Sequence, residues 1–384
     1  MSSEGQRVLH ITESHSKKDG GVTTVVNDLT YHLHTIGVFS CVVAATDIEE
    51  PTPEGVSFVC MGLSCNRVTS LFSSDLKGRL KRLVQEKSID VIHIHGIWMP
   101  LQIVSARLAK EMNIPFVVTS HGMLEPWLWS GKGWLGLIKK KLYFNFIVHP
   151  AYRRAARIHA ITPREAKNLK ALFPTNKQET IPNAIDLAVN DKLDFMPTSK
   201  AIFFIGRINP KKGVGLLLES FHNANVSSDW RLIIAGPEEV PEYFEELCSF
   251  VQEHDLESKV IFIGPVYGEE KERLYKSSWV TIVPSYSEVV GMVNLEASSF
   301  HCPSITTTTT GLWDWQEGGG ILIEPEEKAL TAALKSCVQW SGRERKERGK
   351  ASFKLVQEKY AWHVVGKQWA HLYDALTRED RSDE

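Results

Sequence analysis

Short apolar runs and amphipathic stretches alternate along this chain in two successive series. RVLHIT, FSCVVAAT, VSFVCMG, DVIHIHG, PFVVTSHG and RIHAIT fill the first half. Near-continuous Val and Ile, rather than strict alternation, predicts strands of a parallel sheet covered on both faces. Between the runs the spacing turns helical: Val22, Val25, Val26, Leu29 and Leu33 recur every three or four residues. Further helices are predicted near 75–87, 101–111 and 135–156. A polar stretch from Leu187 to Lys200 has no apolar period and reads as a linker. The pattern restarts with AIFFIG, WRLIIAG, KVIFIG, WVTIVPS and PSITT, interleaved with helices near 214–223, 241–254, 269–277 and 292–300. Two consecutive β/α series predict two doubly wound α/β domains. A last helical pattern covers Tyr360 to Thr377, with Val364, Trp369, Leu372 and Leu376 as its packing residues. The β-branched run Thr306–Thr310 reads as the extension of a strand.

Composition narrows the class. At 384 residues the chain exceeds the usual size of one core. It is 43% hydrophobic and 23% charged, ordinary for a soluble globular protein. A net charge of −2 supplies no chain-wide field for nucleic acid, so any anion site must be local. The six Cys include no CxxC, and the closest two, Cys60 and Cys65, are too few for a zinc site. The start, MSSEGQRVLHIT, lacks the basic and apolar regions of a signal peptide, and no apolar run reaches the ~18 residues of a membrane span. A cytoplasmic location is expected.

Ligands of open parallel sheets bind beyond the carboxyl ends of the strands, where helix N-termini aim free N–H groups outward. The first such turn, ESHSKKDGGV, puts Gly20 and Gly21 directly before a helix, where the backbone can approach a ligand or simply flex. The spacing G-x-G-x-x-G is absent, which argues against a nicotinamide oxidoreductase. His121, followed by Gly122, ends the strand PFVVTSHG and is placed to act as a donor or base, or to be satisfied by backbone. His93 and His95 share one strand face and read as structural, because no third ligand has suitable spacing. AIFFIGRINPKKGV closes a buried strand with Arg207, Lys211 and Lys212 among Gly206, Pro210 and Gly213. Either the cations splay into water, or Arg207 and Lys212 converge with a helix N-terminus on a phosphate. The segment VPSYSEVVGMVNLEAS places Glu288 after another strand, Gly291, Met292 and Val293 at a helix start, and Glu296 one turn in. Backbone N–H groups there suit phosphate or sugar oxygens, and a carboxylate suits a diol.

The pieces GGV, TSHGM, IPNAID, GRINPKKG and SEVVGMVNLEA occur in the order found in glycosyltransferase family 4, which the chain resembles over nearly its whole length. The resemblance implies a GT-B architecture: two Rossmann-like domains facing a cleft. They would be an acceptor-binding domain at 1–190 and a nucleotide-sugar-binding domain at 191–359, with the helix in 360–384 packing back on the first. It implies a retaining, metal-independent enzyme with no cofactor, its donor substrate a UDP- or GDP-linked sugar. Arg207 and Lys212 match the pair that neutralises the donor diphosphate. Glu296 matches the ribose ligand, and Glu288 the carboxylate near the transferred sugar. Gly291, Met292 and Val293 match backbone contacts, His121 the active-site His, and Gly20–Gly21 the loop facing diphosphate and acceptor. Val289 and Val290 stand where the family usually has Gly and Phe, and LWDWQEGGG replaces a common Pro-Glu, which bears on the donor sugar.

Between Met123 and Arg157 seven Lys/Arg face one acidic residue, and Trp127, Trp129 and Trp134 lie near Lys139, Lys140 and Lys141. That composition fits an interfacial anchor, or aromatic packing around an acceptor pocket. The region resembles its counterpart in bacterial enzymes that extend lipid-linked polysaccharide precursors. The resemblance thus implies a polyprenyl-diphosphate-linked glycan acceptor and a membrane surface met through Trp127–Phe144. A nucleotide-sugar 2-epimerase and a non-catalytic nucleotide-binding partner of a transferase are the other classes compatible with the fold.

Overall fold

A computed structural model describes residues 5–15, 21–46, 53–62, 71, 73–129, 133–188 and 199–382. Gly20, most of the polar stretch after Leu187 and the side chain of Trp127 lie outside the described residues. The chain divides into two compact units, one of Met1–Asn183 with Trp362–Glu384, the other of Ala184–Ala361.

The first unit is a parallel sheet of β1 (Arg7–Thr12), β2 (Phe39–Ala44), β3 (Ser57–Cys60), β4 (Val91–His95), β5 (Phe116–Thr119), β6 (Arg157–Ala160) and β7 (Gln178–Thr180). Its order is β3-β2-β1-β4-β5-β6-β7. The strand direction of growth therefore reverses between β1 and β4. Helices α1 (Gly21–Thr35), α2 (Ser74–Glu86), α3 (Pro100–Glu111), α4 (Trp134–Tyr143) and α5 (Pro163–Leu172) follow the strands. One sheet face is apolar: Leu9, Ile11, Ile92, Ile94 and Val118 pack with Leu80, Leu101, Val104 and Leu108 of α2 and α3. The single helix expected over 135–156 is interrupted. After α4 come a π-helical turn at Phe144–Val148 and one further turn at His149–Tyr152, with Pro150 just inside it.

The second unit repeats the scheme with β8 (Ala201–Ile205), β9 (Arg231–Ala235), β10 (Val260–Gly264), β11 (Val280–Val283), β12 (Ser304–Thr307) and β13 (Ile321–Ile323). The order β10-β9-β8-β11-β12-β13 reverses between β8 and β11. Its helices are α6 (Val214–Ala224), α7 (Pro241–Glu253), α8 (Gly268–Ser277), α9 (Met292–Ser299), α10 (Glu327–Cys337) and α11 (Gly342–Lys359). Ile202, Phe204, Leu232, Ile234, Ile282 and Ile305 pack with Leu217, Phe221, Leu330 and Leu334 on one face. Phe203, Ala235, Tyr275 and Ala297 pack on the other. Helix α11 comes so close to the end of α9 that a Cβ on Gly349 would meet the His301 carbonyl oxygen at 2.2 Å. The last helix, α12 (Trp362–Ser382), returns to the first unit.

Candidate active site

In each unit, the loops after the two central strands open at the point where strand order reverses, the usual ligand crevice of such sheets. In the second unit these are the loops after β8 and β11. Asn209 accepts from the Lys212 N–H at 3.2 Å and caps a short turn at Pro210–Lys212. Gly213 then takes φ 72°, where a Cβ would meet the Pro284 carbonyl oxygen at 2.2 Å. Only glycine fits so close a crossing. The Tyr286 N–H donates to the Lys211 carbonyl at 2.9 Å, tying the two loops together.

This tie brings Lys212 and Glu288 into one half-buried pair, Nζ to Oε1 at 3.1 Å. Ser285 Oγ donates to the same carboxylate oxygen at 2.5 Å. The Thr run does not extend the strand as expected. β12 ends at Thr307, and the hydroxyls of Thr307 and Thr309 both donate to the Ser285 carbonyl, at 2.6 and 2.7 Å. The Glu288 N–H donates to Thr309 O and the Gly291 N–H to Thr310 O. Short hydroxyl side chains thus shape the loop that carries Glu288 and the start of α9. Gly291 caps α9, with Met292 and Val293 in its first turn.

Arg207 lies in the same loop as Lys212 but pairs elsewhere, its Nη1 2.5 Å from Glu239 Oε1; Asn209 donates to the other oxygen of Glu239. The Arg207 side chain is 62% exposed, so the sequence expectation of two convergent cations resolves into two separate ion pairs. Lys211, in the same loop, is held below the ordinary lysine value by desolvation first and by the charges of Lys212 and Arg207 next. Glu296, on α9, accepts from Tyr275 OH at 2.9 Å and Lys271 Nζ at 3.1 Å. Burial, then the charge of Glu296, pushes the Tyr275 phenol well above its usual range, so it stays protonated and donates.

In the first unit Gly21 opens α1 with nothing within 4 Å of where a Cβ would stand. His121 follows β5 in a left-handed conformation, φ 49°, and Gly122 continues it at φ 74°. Glu165, 2% exposed, holds this turn. Its carboxylate accepts from Ser120 Oγ at 2.6 Å, from the Gly122 N–H at 2.8 Å and from the Ile161 N–H at 2.8 Å. Burial raises the Glu165 carboxyl, and those three donors oppose the shift. Sequence reading missed Glu165, although a signal exists: Thr162-Pro-Arg-Glu165 is a capping-box sequence with Pro at the first helical position. Thr162 does accept from the Glu165 N–H at 3.2 Å, but the Glu165 carboxylate reaches across to the His121 turn instead of back to its own cap.

Beside this turn the second sheet face is polar where the first is apolar. Register puts His10 of β1 opposite His93 of β4, and Thr119 of β5 opposite His95 and His159. All five are buried, with Trp369 of α12 packed on His93 and His159 and Tyr373 edge-on to His10 and His93. The expectation that His93 and His95 lack a third partner is thereby corrected: His10 joins them from another strand, with a ring nitrogen of each within 4.8 Å of the others. Parallel pairing, invisible in linear spacing, supplies it. Burial lowers His10 to about 3, His159 to about 3 and His121 to about 4, and takes His93 and His95 well below their usual value. All are neutral near pH 7. One hydrogen-bond chain is then fully determined. His159 Nε2 must donate to the Ile181 carbonyl at 2.9 Å, so its Nδ1 accepts from Thr119 Oγ1. Thr119 in turn accepts from His93 Nε2 at 2.7 Å, and His93 Nδ1 accepts from Tyr373 OH at 2.8 Å.

The segment after His121 presents the clearest apolar surface. Trp134, Leu135, Ile138, Leu142 and Phe146 are exposed, Trp134 and Phe146 by 71% each. No residue of α4 is buried. Lys140 lies over the rings of Trp98 and Trp129, 5.0 and 4.9 Å from their centroids, while Lys139 and Lys141 are exposed. No helix among the described residues is long and apolar enough to cross a membrane.

Known proteins bear on this geometry. Residues 19–189 match the family described as Glycosyltransferase Family 4, and 168–354 match Glycosyl transferases group 1. An uncharacterized glycosyltransferase of Methanocaldococcus jannaschii is 29% identical over 304 residues, 74% of this chain and 75% of the relative. An uncharacterized protein in the cps region of Klebsiella pneumoniae is 24% identical over 335 residues, 83% of this chain and 86% of that one. The crystal structure of Anabaena HepE in complex with UDP superposes with a TM-score of 0.75 at 16% identity, covering 96% of this chain and all of that one. Two parallel-sheet units with reversed strand order, matched over residues 19–354 by these two families together, make the chain a glycosyltransferase of the GT-B type.

Proposed function

We propose that the protein is a retaining glycosyltransferase that moves a sugar from a UDP- or GDP-linked donor to a glycan acceptor carried on polyprenyl diphosphate, in bacterial surface-polysaccharide assembly. The observation that carries this reading is the Lys212–Glu288 pair, fixed by Gly213 and Ser285 at the strand-order reversal of the second unit. A half-buried Lys held by a carboxylate is a cation ready to exchange partners. A donor diphosphate takes Lys212 and Arg207 from Glu288 and Glu239, and the freed Glu288 turns to sugar hydroxyls. Glu296, already accepting two hydrogen bonds, takes the ribose diol, and Gly291, Met292 and Val293 offer backbone N–H groups. As the anomeric bond breaks, negative charge grows on the diphosphate, and Arg207 and Lys212 stabilise it without a metal ion. The acceptor hydroxyl attacks from the face the leaving group vacates and gives its proton to the departing diphosphate oxygen, which retains configuration. His121 and Gly20–Gly21 are the ligand contacts proposed for the first unit. The UDP held by HepE supports a uridine donor, and the cps region of the Klebsiella relative supports a polysaccharide setting.

The exposed face of α4 is proposed as the contact with an anionic membrane, on the cytoplasmic side where nucleotide sugars occur. Trp134, Ile138, Leu142 and Phe146 follow one another by four residues, with Lys139 and Lys141 beside them. Apolar area with flanking cations is the pattern of an interfacial helix.

The test is thermal unfolding with UDP, GDP and ADP on wild type and Lys212→Ala. Ligand at a hundred times its Kd adds about 2.7 kcal/mol of stability. A shift with one nucleotide that is lost in Lys212→Ala supports the donor site. No shift with any nucleotide overturns it, and donor turnover without an acceptor would mark an isomerase instead.

A further inference from the structure

The buried imidazoles form a second chain, separate from the one that runs to Ile181. His10 Nδ1 lies 3.1 Å from His95 Nε2, and His95 Nδ1 lies 3.1 Å from His121 Nε2. Each ring is neutral, so each carries one proton, and the two shared hydrogen bonds must point the same way. Only two arrangements exist. In one, His10 donates to His95, His95 donates to His121, and the His121 proton sits on Nδ1. In the other every arrow reverses, and His10 Nε2 carries an N–H.

The two ends of this chain meet different surroundings. His10 is 0% exposed, and its Nε2 is sealed from solvent with no hydrogen-bond partner. His121 is half-buried, and its Nδ1 makes no hydrogen bond to the described residues and is not among their sealed polar atoms. An open Nδ1 can be satisfied by water or ligand in either arrangement, so the choice falls to the dry end. A buried N–H without an acceptor is the rarer and costlier defect; a bare ring nitrogen is the milder one. The reversed arrangement strands an N–H at His10, and the first strands only a lone pair.

We propose that His10 and His95 are positioning residues that hold His121 as the Nδ1–H tautomer, so that His121 meets its ligand as a hydrogen-bond donor to an oxygen and not as a base. That His121 faces a ligand rests on the glycosyltransferase reading above; the tautomer does not. The left-handed backbone at 121, braced by Glu165, fixes where the ring stands, and His95 fixes which nitrogen it turns outward.

The experiment is long-range ¹H–¹⁵N correlation of full-length protein labelled with ¹⁵N-histidine at pH 7.5, with His121 assigned by difference from His121→Gln. The expected spectrum has a protonated Nδ1 and an unprotonated Nε2 on His121. A protonated Nε2, a doubly protonated ring or an even mixture overturns the proposal. In His95→Phe the constraint is gone, and His121 is expected to average between tautomers. An unchanged His121 spectrum in a folded His95→Phe also overturns it. If that variant fails to fold, the wild-type spectrum alone decides. Sugar transfer by His121→Gln is scored separately: full activity there would sink the assignment of His121 to the ligand while leaving the tautomer result standing.

Discussion

Lys212 and Arg207 lie five residues apart in one loop and pair with different carboxylates. Lys212 is half-buried against Glu288, and Arg207 is mostly exposed beside Glu239. Replacing Arg207 with Ala should cost about 2.7–4 kcal/mol of barrier, a 10²–10³-fold fall in kcat, if it stabilises the departing diphosphate; a fall below tenfold in a steady-state assay would contradict that role. Glu165→Ala leaves the Gly122 and Ile161 N–H groups and Ser120 Oγ without their acceptor, at about 1–3 kcal/mol for each buried orphan. Urea unfolding should show a clear drop in midpoint, with the His121 turn losing its brace. The buried imidazoles also set an acid limit. His10 and His159 titrate near 3 when folded and near 6.5 when unfolded, so the unfolded chain takes up protons first as pH falls. Their contribution is full above about pH 6.5 and is lost on the way down to about 3, at roughly 1.4 kcal/mol per pH unit for each group. Urea midpoints at pH 8 and 7 should agree, and that at pH 5.5 should be markedly lower. Of this scale, sequence revealed the residues whose chemistry needs a strand end, such as Arg207, Glu288 and His121. It did not reveal His10, whose partner comes from another strand, Glu165, which reaches across to Ser120 and Gly122, or Ser285, a short polar side chain that donates to Glu288 three residues on.

At the scale of elements, the apolar runs and the long amphipathic periods were legible, and so was the parallel class they imply. Helices α5 and α10 were left unread, and three further unread elements lack an apolar period. β7 is three polar residues at a sheet edge, and β13 is three residues after a Gly triplet. α11 is mostly charged and buries only a narrow side, including Gly349 and a 2%-exposed Arg345 that donates to the Ser278 and Trp279 carbonyls. Neither feature repeats with an apolar period. The crossing at Gly213 predicts its own experiment: Gly213→Ala must move the Pro284 backbone, so nucleotide-induced stabilisation should fall even though no ligand-binding side chain has changed. Unaltered stability and nucleotide response in that variant would refute the crossing. For α4, Ile138→Ser with Leu142→Ser should abolish co-sedimentation with anionic vesicles while leaving the unfolding temperature unchanged, because both side chains are exposed, by 46% and 50%. Persisting vesicle binding would end the proposed membrane role of this face.

For the molecule as a whole, the division into two sheets followed from the restart of the strand pattern after the polar stretch. The first unit is built from two separated lengths of chain, Met1–Asn183 and Trp362–Glu384; the return of the last helix was expected from the family resemblance, whereas no apolar period announces the strand order. Its last helix covers the polar sheet face: Trp369 packs on His93 and His159, and Tyr373 closes the hydrogen-bond chain through His93. Arg157 reaches Glu379 of the same helix at 2.7 Å. Seven strands are therefore in hand long before the helix that covers them. During synthesis the ribosome must make all of Ala184–Ala361 first, which at 5–20 residues per second takes about 10–35 s. Over that interval the histidines of the N-terminal sheet lack the cover that Trp369 and Tyr373 give them, and open imidazoles take protons and metal ions. The C-terminal unit, contiguous in sequence, can complete its fold first, reversing the usual order in which domains mature from the N-terminus.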